Sequence, residues 1–213
     1  MPIADFSGKT FVAFLDISGF KEMMKGDGTQ AVNALDKLNV AGYDVLKNNR
    51  NVAGFFISDC GVLFVKNENI GKKDQLESML KVVKDINKRL IKHDIMTTTS
   101  ISYGHFSYHN RIEFNGISKN PIYGNAYVTA FLDNENGTPK LEPGQCRIVF
   151  NNNEDIEEYN IPLLKKTIKH YYYYWMLEDE QDIENFKKEY TNSYKLKYTG
   201  MLSALKFFRD NYS

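Results

Sequence analysis

The sequence has little cysteine and no excess of charge of either sign. Its 213 residues include only two cysteines, Cys60 and Cys146, which form no CxxC pair, and we expect both to be reduced thiols. Lysine plus arginine number 27 and aspartate plus glutamate also 27, so no overall positive field exists to attract nucleic acid. Neither a signal-peptide pattern nor an apolar run long enough to span a bilayer is found, which predicts a cytoplasmic protein without a membrane partner.

The stretch from Thr10 to Phe20, TFVAFLDISGF, is the clearest pattern in the sequence. Five consecutive apolar residues, 11–15, predict a short strand buried on both faces, and Asp16 stands at its carboxyl end. Ser18-Gly19 then breaks the strand, and a helical pattern begins. An acid, a glycine turn and a helix start could together hold a metal ion and phosphates. The alternative is that Asp16 only caps the helix.

A second stretch, Asn51 to Lys66, reads NVAGFFISDCGVLFVK. Two apolar runs flank Ser58-Asp59-Cys60-Gly61, which predicts a β-hairpin with a tight turn over these four residues. Asp59 then lies at or beside the tip, where a turn alone would also explain it. Two acids, each following a buried strand, are the kind of carboxylate pair that holds two divalent ions against a triphosphate.

The two stretches resemble the class III nucleotidyl cyclases, the family of adenylate and guanylate cyclase catalytic domains. Ile101–Gly104 and Ile122–Ala130 are similar to the later strands and last catalytic helix of that family. The resemblance covers roughly residues 10 to 150 and implies an α+β fold, a palm-like and mostly antiparallel sheet covered by helices. We assign 1–150 to the catalytic domain and 151–213 to a C-terminal strand and helix extension packed on it.

The resemblance implies a reaction in which the ribose 3′-hydroxyl attacks the α-phosphate and pyrophosphate leaves. Two divalent cations, Mg²⁺ or Mn²⁺, would be held by Asp16, Asp59 and the backbone carbonyl of Ile17. The backbone amides around Ser18, Gly19 and Phe20 would hold the β- and γ-phosphates.

The base-reading positions depart from those of the purine cyclases. The Lys or Glu four residues before the second metal acid is Phe55 here, and the Asp or Cys three residues before the helix-opening glycine is Pro121. Neither side chain hydrogen-bonds a purine edge. An aromatic wall at Phe55 or Phe56 favours a smaller base, although both residues could simply be strand core. This pattern resembles the pyrimidine cyclases of bacterial Pycsar antiphage systems, which implies UTP, then CTP, as substrate and a cyclic product that acts on a separate cyclic-nucleotide-binding effector.

The transition-state positions also depart from the family pattern. The usual Asn and Arg of the last helix are Val128 and Leu132 here, and Arg147 is a candidate phosphate-binding or structural arginine. Because the chain carries one copy of each motif, the resemblance implies a homodimer with two equivalent sites. A cyclase-like domain that binds nucleotide without turnover is the main alternative. A diguanylate-forming palm is a third, and the absence of a Gly-Gly-Asp-Glu-Phe hairpin argues against it.

The predicted elements alternate between strands and helices in the order expected of an α+β palm. The predicted strands are 10–16, the hairpin 52–66, 96–108, 111–117 pairing with the strand before it, 145–150 and 171–176. The predicted helices are 20–48 with a break at 26–28, 75–92, one entered over 121–131, and 193–212.

Overall fold

The computed structural model describes residues 3–114, 117–119, 121–150, 159–194 and 196–211. The strands are β1 Phe6–Ile17, β2 Val52–Ile57, β3 Cys60–Val65, β4 Thr97–Tyr108, β5 Arg111–Phe114, β6 Ile117–Lys119, β7 Ile122–Tyr123, β8 Cys146–Val149, β9 Leu164–Lys166 and β10 Tyr171–Tyr173. The α-helices are α1 Phe20–Met23, α2 Thr29–Leu46, α3 Lys72–Leu90, α4 Asn125–Asn136, α5 Ile183–Tyr194 and α6 Lys197–Asn211.

One eight-stranded sheet organises the molecule. Its order is β2-β3-β1-β4-β8-β10-β9, and β7 pairs with the end of β4. Every pairing is antiparallel except the parallel pair β4 and β8. The predicted α+β, mostly antiparallel architecture is therefore confirmed, and residues 164–173 continue the same sheet beyond β8.

The central strand β1 is buried on both faces, as its apolar run predicts. Phe11 and Leu15 face one hydrophobic cluster, which includes side chains of α2, α3 and α6. Val12 and Phe14 face a second cluster that includes Ala126 of α4. Because side chains alternate along a strand, Asp16 belongs to the α4 side of the sheet. The sheet thus separates the larger core, which includes side chains of α2, α3 and α6, from the α4-covered face that carries the acid.

Several predicted boundaries were wrong, and the corrections have local causes. The predicted helix 20–48 is two helices, since Gly26 and Gly28 adopt positive φ angles of 82° and 75° between α1 and α2. The predicted strand 111–117 does not pair with β4; β5 pairs with β6 in a separate two-stranded sheet, and β7 takes the place beside β4. The predicted strand 171–176 ends at Tyr173.

The C-terminal helical region is larger than predicted. The predicted helix 193–212 corresponds to α6, whereas α5 lies before it, in a stretch for which no helix was predicted. Ile183 and Phe186 of α5 are buried in the main core. Among the described residues, no helix combines the length and the apolar composition that crossing a membrane requires.

Candidate active site

The register of β1 and β3 brings the two predicted acids together. Asp16 stands opposite Cys60, and the Ile17 amide donates a hydrogen bond of 3.1 Å to the Asp59 carbonyl. The hairpin turn is shorter than predicted: it holds only Ser58 and Asp59, whereas Cys60 and Gly61 already belong to β3. Ser58 takes a positive φ of 54°, as a two-residue hairpin turn requires of one of its residues.

A carboxylate oxygen of Asp16, a carboxylate oxygen of Asp59 and the Sγ of Cys60 all lie within 4.8 Å of one another. All three residues are half-buried. The two carboxylates are hard oxygen donors of the kind that Mg²⁺ and Mn²⁺ prefer, so the donor set fits a divalent cation. The thiol is a poor ligand for such ions, and it instead donates a hydrogen bond of 3.6 Å to Asp16 Oδ1.

The electrostatics of this group favour a cation. Burial raises the pKa of Asp16 from 3.8 to about 6, and the charges of Asp59 and Glu135 act in the same direction. Burial and the same acids raise the pKa of the Cys60 thiol to about 12, which keeps it protonated. A carboxylate that is disfavoured by neighbouring negative charge is stabilised when a cation binds beside it.

The turn after β1 differs in one respect from the predicted phosphate cradle. The Ser18 amide is already used, since it donates a hydrogen bond of 2.9 Å to the Met96 carbonyl. Gly19 adopts a positive φ of 78° and precedes α1, and the Phe20 side chain is buried. The amides of Gly19 and Phe20 remain the predicted phosphate donors of this turn.

The Asp16 cleft, which we define by Asp16, Ser18, Thr98, Asn134, Glu135 and Glu142, has a volume of about 370 Å³. It extends from Asp16 between the β1–α1 turn and the segment after α4. Lys140 supplies a positive charge to its lining. The cleft therefore continues the acidic site towards the turn that carries the predicted phosphate donors.

The structure places Arg147 in a buried ion pair. Its side chain is 0% exposed, and it donates hydrogen bonds of 2.8 and 2.7 Å to the two carboxylate oxygens of Asp133. The remaining guanidinium hydrogens go to the carbonyls of Asp133 and Pro139 and to the Tyr172 hydroxyl. All five donors of the side chain are thus used. We therefore correct the phosphate assignment of Arg147 to the structural one.

Sequence reasoning missed two groups of the site, Cys60 and Glu135. The strand register could have indicated Cys60, because it follows Asp59 and starts the next strand. Glu135 carries no such signal, since its position depends on how α4 packs on the sheet.

Solved structures of adenylyl and guanylyl cyclase domains are similar to this chain. The dimeric guanylyl cyclase domain of the RhoGC fusion protein from Blastocladiella emersonii matches with a TM-score of 0.61 and 15% identity, over 81% of this chain and 98% of that one. The adenylyl cyclase CyaB from P. aeruginosa matches with a TM-score of 0.57 and 14% identity, over 80% and 95%. The guanylate cyclase domain of RhGC from Catenaria anguillulae, solved with GTP, gives 0.57 and 14%, over 80% and 97%.

The chain has the fold of adenylyl and guanylyl cyclase catalytic domains. No protein-family model matches the sequence, and no curated protein matches it either. The likeness is therefore one of structure at low sequence identity.

In this cyclase fold, the two predicted wall residues of the base pocket face opposite sides of the sheet. Phe55 packs with the α4-side cluster, and its ring centroid lies 5.5 Å from that of Tyr108. Phe56 packs against the other core, where its ring fills the space over Gly42 of α2. Only Phe55 shares the face of Asp16, so we correct the assignment of Phe56 from base pocket to core.

The third predicted base-pocket residue, Pro121, lies on the same part of the sheet as Phe55. Its carbonyl accepts a hydrogen bond of 3.1 Å from the His109 amide, next to Tyr108. The one polar group that Pro121 could offer to a base, its carbonyl, thus already accepts one hydrogen bond from the backbone.

The two α4 positions at which the resemblance to class III cyclases would place Asn and Arg are apolar and exposed. Val128 is 47% exposed and Leu132 is 51% exposed, both on α4. Neither side chain offers a hydrogen bond or a charge to a transition state.

Proposed function

We propose that this protein is a nucleotidyl cyclase that converts a pyrimidine nucleoside triphosphate to the 3′,5′-cyclic monophosphate and pyrophosphate, with UTP preferred to CTP. The observation that carries the proposal is the convergence of Asp16 and Asp59 at the ends of adjacent strands in a cyclase fold. Solved neighbours with this fold include an adenylyl cyclase and guanylyl cyclase domains.

Asp16, Asp59 and the carbonyl of Ile17 would hold two divalent cations, Mg²⁺ or Mn²⁺. Such ions, when bound, lower the pKa of the attacking hydroxyl and neutralise the triphosphate. The chain itself orients these ligands, since the β1–β3 register puts both acids at the same end of this strand pair. The amides of Gly19 and Phe20 would position the outer phosphates.

The environment of Phe55 supports a pyrimidine base. Phe55 and Tyr108 form an aromatic wall, and the Pro121 carbonyl is occupied by His109. A site without a hydrogen-bonding side chain at these two positions cannot read a purine in the way that the purine cyclases do. An aromatic wall leaves room for a smaller ring, and the preference for uracil over cytosine follows the resemblance alone.

We propose further that the enzyme is a cytoplasmic homodimer whose cyclic product is a second messenger in antiviral defence and acts on a separate effector. The resemblance to Pycsar cyclases supports the biological role. The exposed apolar residues Val128 and Leu132 on α4 support a dimer, because exposed apolar groups of this kind are stabilised by a partner surface. Sedimentation of an active monomer would contradict the dimer.

A second candidate function is a cyclase-like domain that binds nucleotide without turnover. The specific observation in its favour is that the apolar residues Val128 and Leu132 stand at the two positions where cyclases carry the Asn and Arg that stabilise the transition state. Against it stand the two acids, which a simple binder would not need.

Incubation of the purified protein with each of the four ribonucleoside triphosphates and Mn²⁺, followed by mass spectrometry, tests the proposal. Cyclic UMP with pyrophosphate is the expected product. Four unchanged triphosphates would select the binding function, and a cyclic purine product would retain the cyclase and remove the base assignment.

A further inference from the structure

A small pocket lies between helix α5 and strands β8 and β10, in a part of the molecule that the proposed reaction does not use. Its volume is about 130 Å³. A protein cavity of about 150 Å³ is known to hold benzene, so this pocket has room for one six-membered ring but not for two fused rings. We call it the α5 pocket and define it by Cys146, Tyr174, Phe186, Lys187, Tyr190 and Thr191.

Three aromatic rings form much of the pocket wall. The Phe186 ring centroid lies 5.8 Å from that of Tyr174, at an interplanar angle of 81°, and 5.6 Å from that of Tyr190. Contacts outside the pocket hold two of these rings. The Tyr190 hydroxyl donates a hydrogen bond of 2.6 Å to the Pro143 carbonyl, and Phe186 packs edge-on against Phe208 at 4.9 Å. The wall is therefore formed without a ligand, and its rings offer the faces and edges that an aromatic ligand contacts.

The mouth of the pocket carries one positive charge. Of the described residues that line the pocket, Lys187 alone is charged, and its Nζ lies 5.8 Å from the centroid of the Tyr174 ring. Lys187 and Thr191 are exposed on α5, so the pocket opens to solvent between them. Lys187 also pairs with Glu184 at 2.7 Å, but these side chains are 45% and 83% exposed. Exposed pairs of this kind are weak, so an incoming anion can replace Glu184.

We propose that the α5 pocket binds a small aromatic anion, with a single six-membered ring against Tyr174, Phe186 and Tyr190 and its negative group on Lys187. The volume of the pocket limits the ring, and the charge at the mouth selects an anion over a cation. This chemistry is shared by an aromatic carboxylate and by the monophosphate of a one-ring nucleoside. The site is separate from the proposed cyclase reaction, because none of these residues lines the Asp16 cleft.

Isothermal titration calorimetry of the full-length protein with benzoate tests this inference. We expect saturable binding of benzoate, and binding at least about tenfold weaker for benzamide, which keeps the ring but lacks the charge. The two fused rings of 2-naphthoate should also bind more weakly than benzoate. Lys187→Gln should remove the difference between benzoate and benzamide, whereas Lys188→Gln, an exposed neighbour outside the pocket, should keep it. Glu184→Gln should bind benzoate more tightly than the wild type, because it removes the competing acid.

A second pair of variants locates the ring. Thr191→Trp places a bulky group over the mouth from an exposed position and should abolish benzoate binding. Asn192→Trp adds the same group at the next exposed position, outside the pocket, and should bind like the wild type. Circular dichroism establishes that each variant is folded. Uridine monophosphate in place of benzoate identifies the source of the anion: binding that Thr191→Trp abolishes assigns a nucleotide, and binding of benzoate alone assigns a carboxylate.

Four results would overturn the inference. They are no saturable binding of benzoate to the wild type, unchanged affinity in Thr191→Trp, equal losses in Lys187→Gln and Lys188→Gln, or 2-naphthoate bound as tightly as benzoate. None of these results depends on the formation of a cyclic nucleotide, so the α5 pocket and the proposed cyclase activity are tested separately.

Discussion

Asp16 of β1 lies directly opposite Cys60 of β3, and the Cys60 thiol donates a hydrogen bond to the Asp16 carboxylate. This register puts Asp59, the residue before Cys60, at the same end of the strand pair. A slip of one residue would send either acid to the opposite face of the sheet. Two acids far apart in sequence therefore form one site because the hairpin turn holds just two residues.

The first prediction concerns these two acids. We expect Asp16→Asn and Asp59→Asn each to lower the cyclase rate at least about 100-fold, since each removes a charge that bound cations need. Mass spectrometry of the cyclic product measures the rate, and circular dichroism measures the fold. Asp36→Asn, an exposed acid on α2, should leave the rate unchanged. A near-normal rate for either site variant at saturating Mn²⁺ would contradict the carboxylate assignment.

The second prediction concerns the pH dependence of stability. In the folded, metal-free protein the pKa of Asp16 is raised from 3.8 to about 6, so between these pH values the folded state binds more protons than the unfolded chain. Stability therefore falls as pH rises through this window, and the full penalty is present above pH 6. Asp16→Asn removes the cost of burying this charged carboxylate. We therefore expect its free energy of unfolding to exceed that of the wild type by about 1–2 kcal/mol at pH 8 in EDTA, a value discounted for the partial exposure of the side chain.

Urea unfolding at several pH values measures this gain, which should shrink towards pH 4. The control Asp36→Asn should differ from the wild type by the same small amount at every pH. A gain for Asp16→Asn that does not vary with pH would show that Asp16 is not the titrating group.

The sequence was sufficient for the parts of the fold that local patterns determine. The apolar run 11–15 predicts β1, and the paired runs around Ser58-Asp59 predict the hairpin. Helix α5 was missed because its buried side chains, including Ile183 and Phe186, are separated by charged residues in a stretch that reads as polar. The partners of β5 and β7 were missed because strand pairing depends on distant parts of the chain.

The same distinction separates the predicted and unpredicted parts of the site. Asp16 and Asp59 each end a strand, which the sequence displays directly. The role of Arg147 depends on Asp133, and that contact forms only when α4 packs across β8. Alternation predicts that Phe55 and Phe56 face opposite sides, but only the folded sheet shows which of them faces Asp16.

The third prediction tests the structural role of Arg147. Removing one partner of a buried ion pair leaves the other charge unpaired, which typically costs about 3–5 kcal/mol. We expect Arg147→Met to lower the free energy of unfolding by that amount, measured by urea denaturation. Lys81→Met breaks an exposed pair with Asp85 and should cost less than about 1 kcal/mol. A stable Arg147→Met protein with a raised KM for the triphosphate would instead restore the phosphate role.

The last prediction uses the two adjacent phenylalanines as a matched pair. Phe55 lies on the face of Asp16, against Tyr108, whereas Phe56 fills the space over Gly42 in the opposite core. If Phe55 excludes purines by its bulk, Phe55→Ala should lower the UTP-to-ATP ratio of kcat/KM by about 10- to 200-fold, the usual effect of one pocket contact. Phe56→Ala should lower stability by a few kcal/mol, roughly the cost of truncating a packed aromatic, and leave that ratio unchanged. Parallel turnover assays with both triphosphates and both variants measure the effect. A wild type that prefers ATP, or equal ratios in the two variants, would remove the aromatic-wall explanation and leave the carboxylate site untouched.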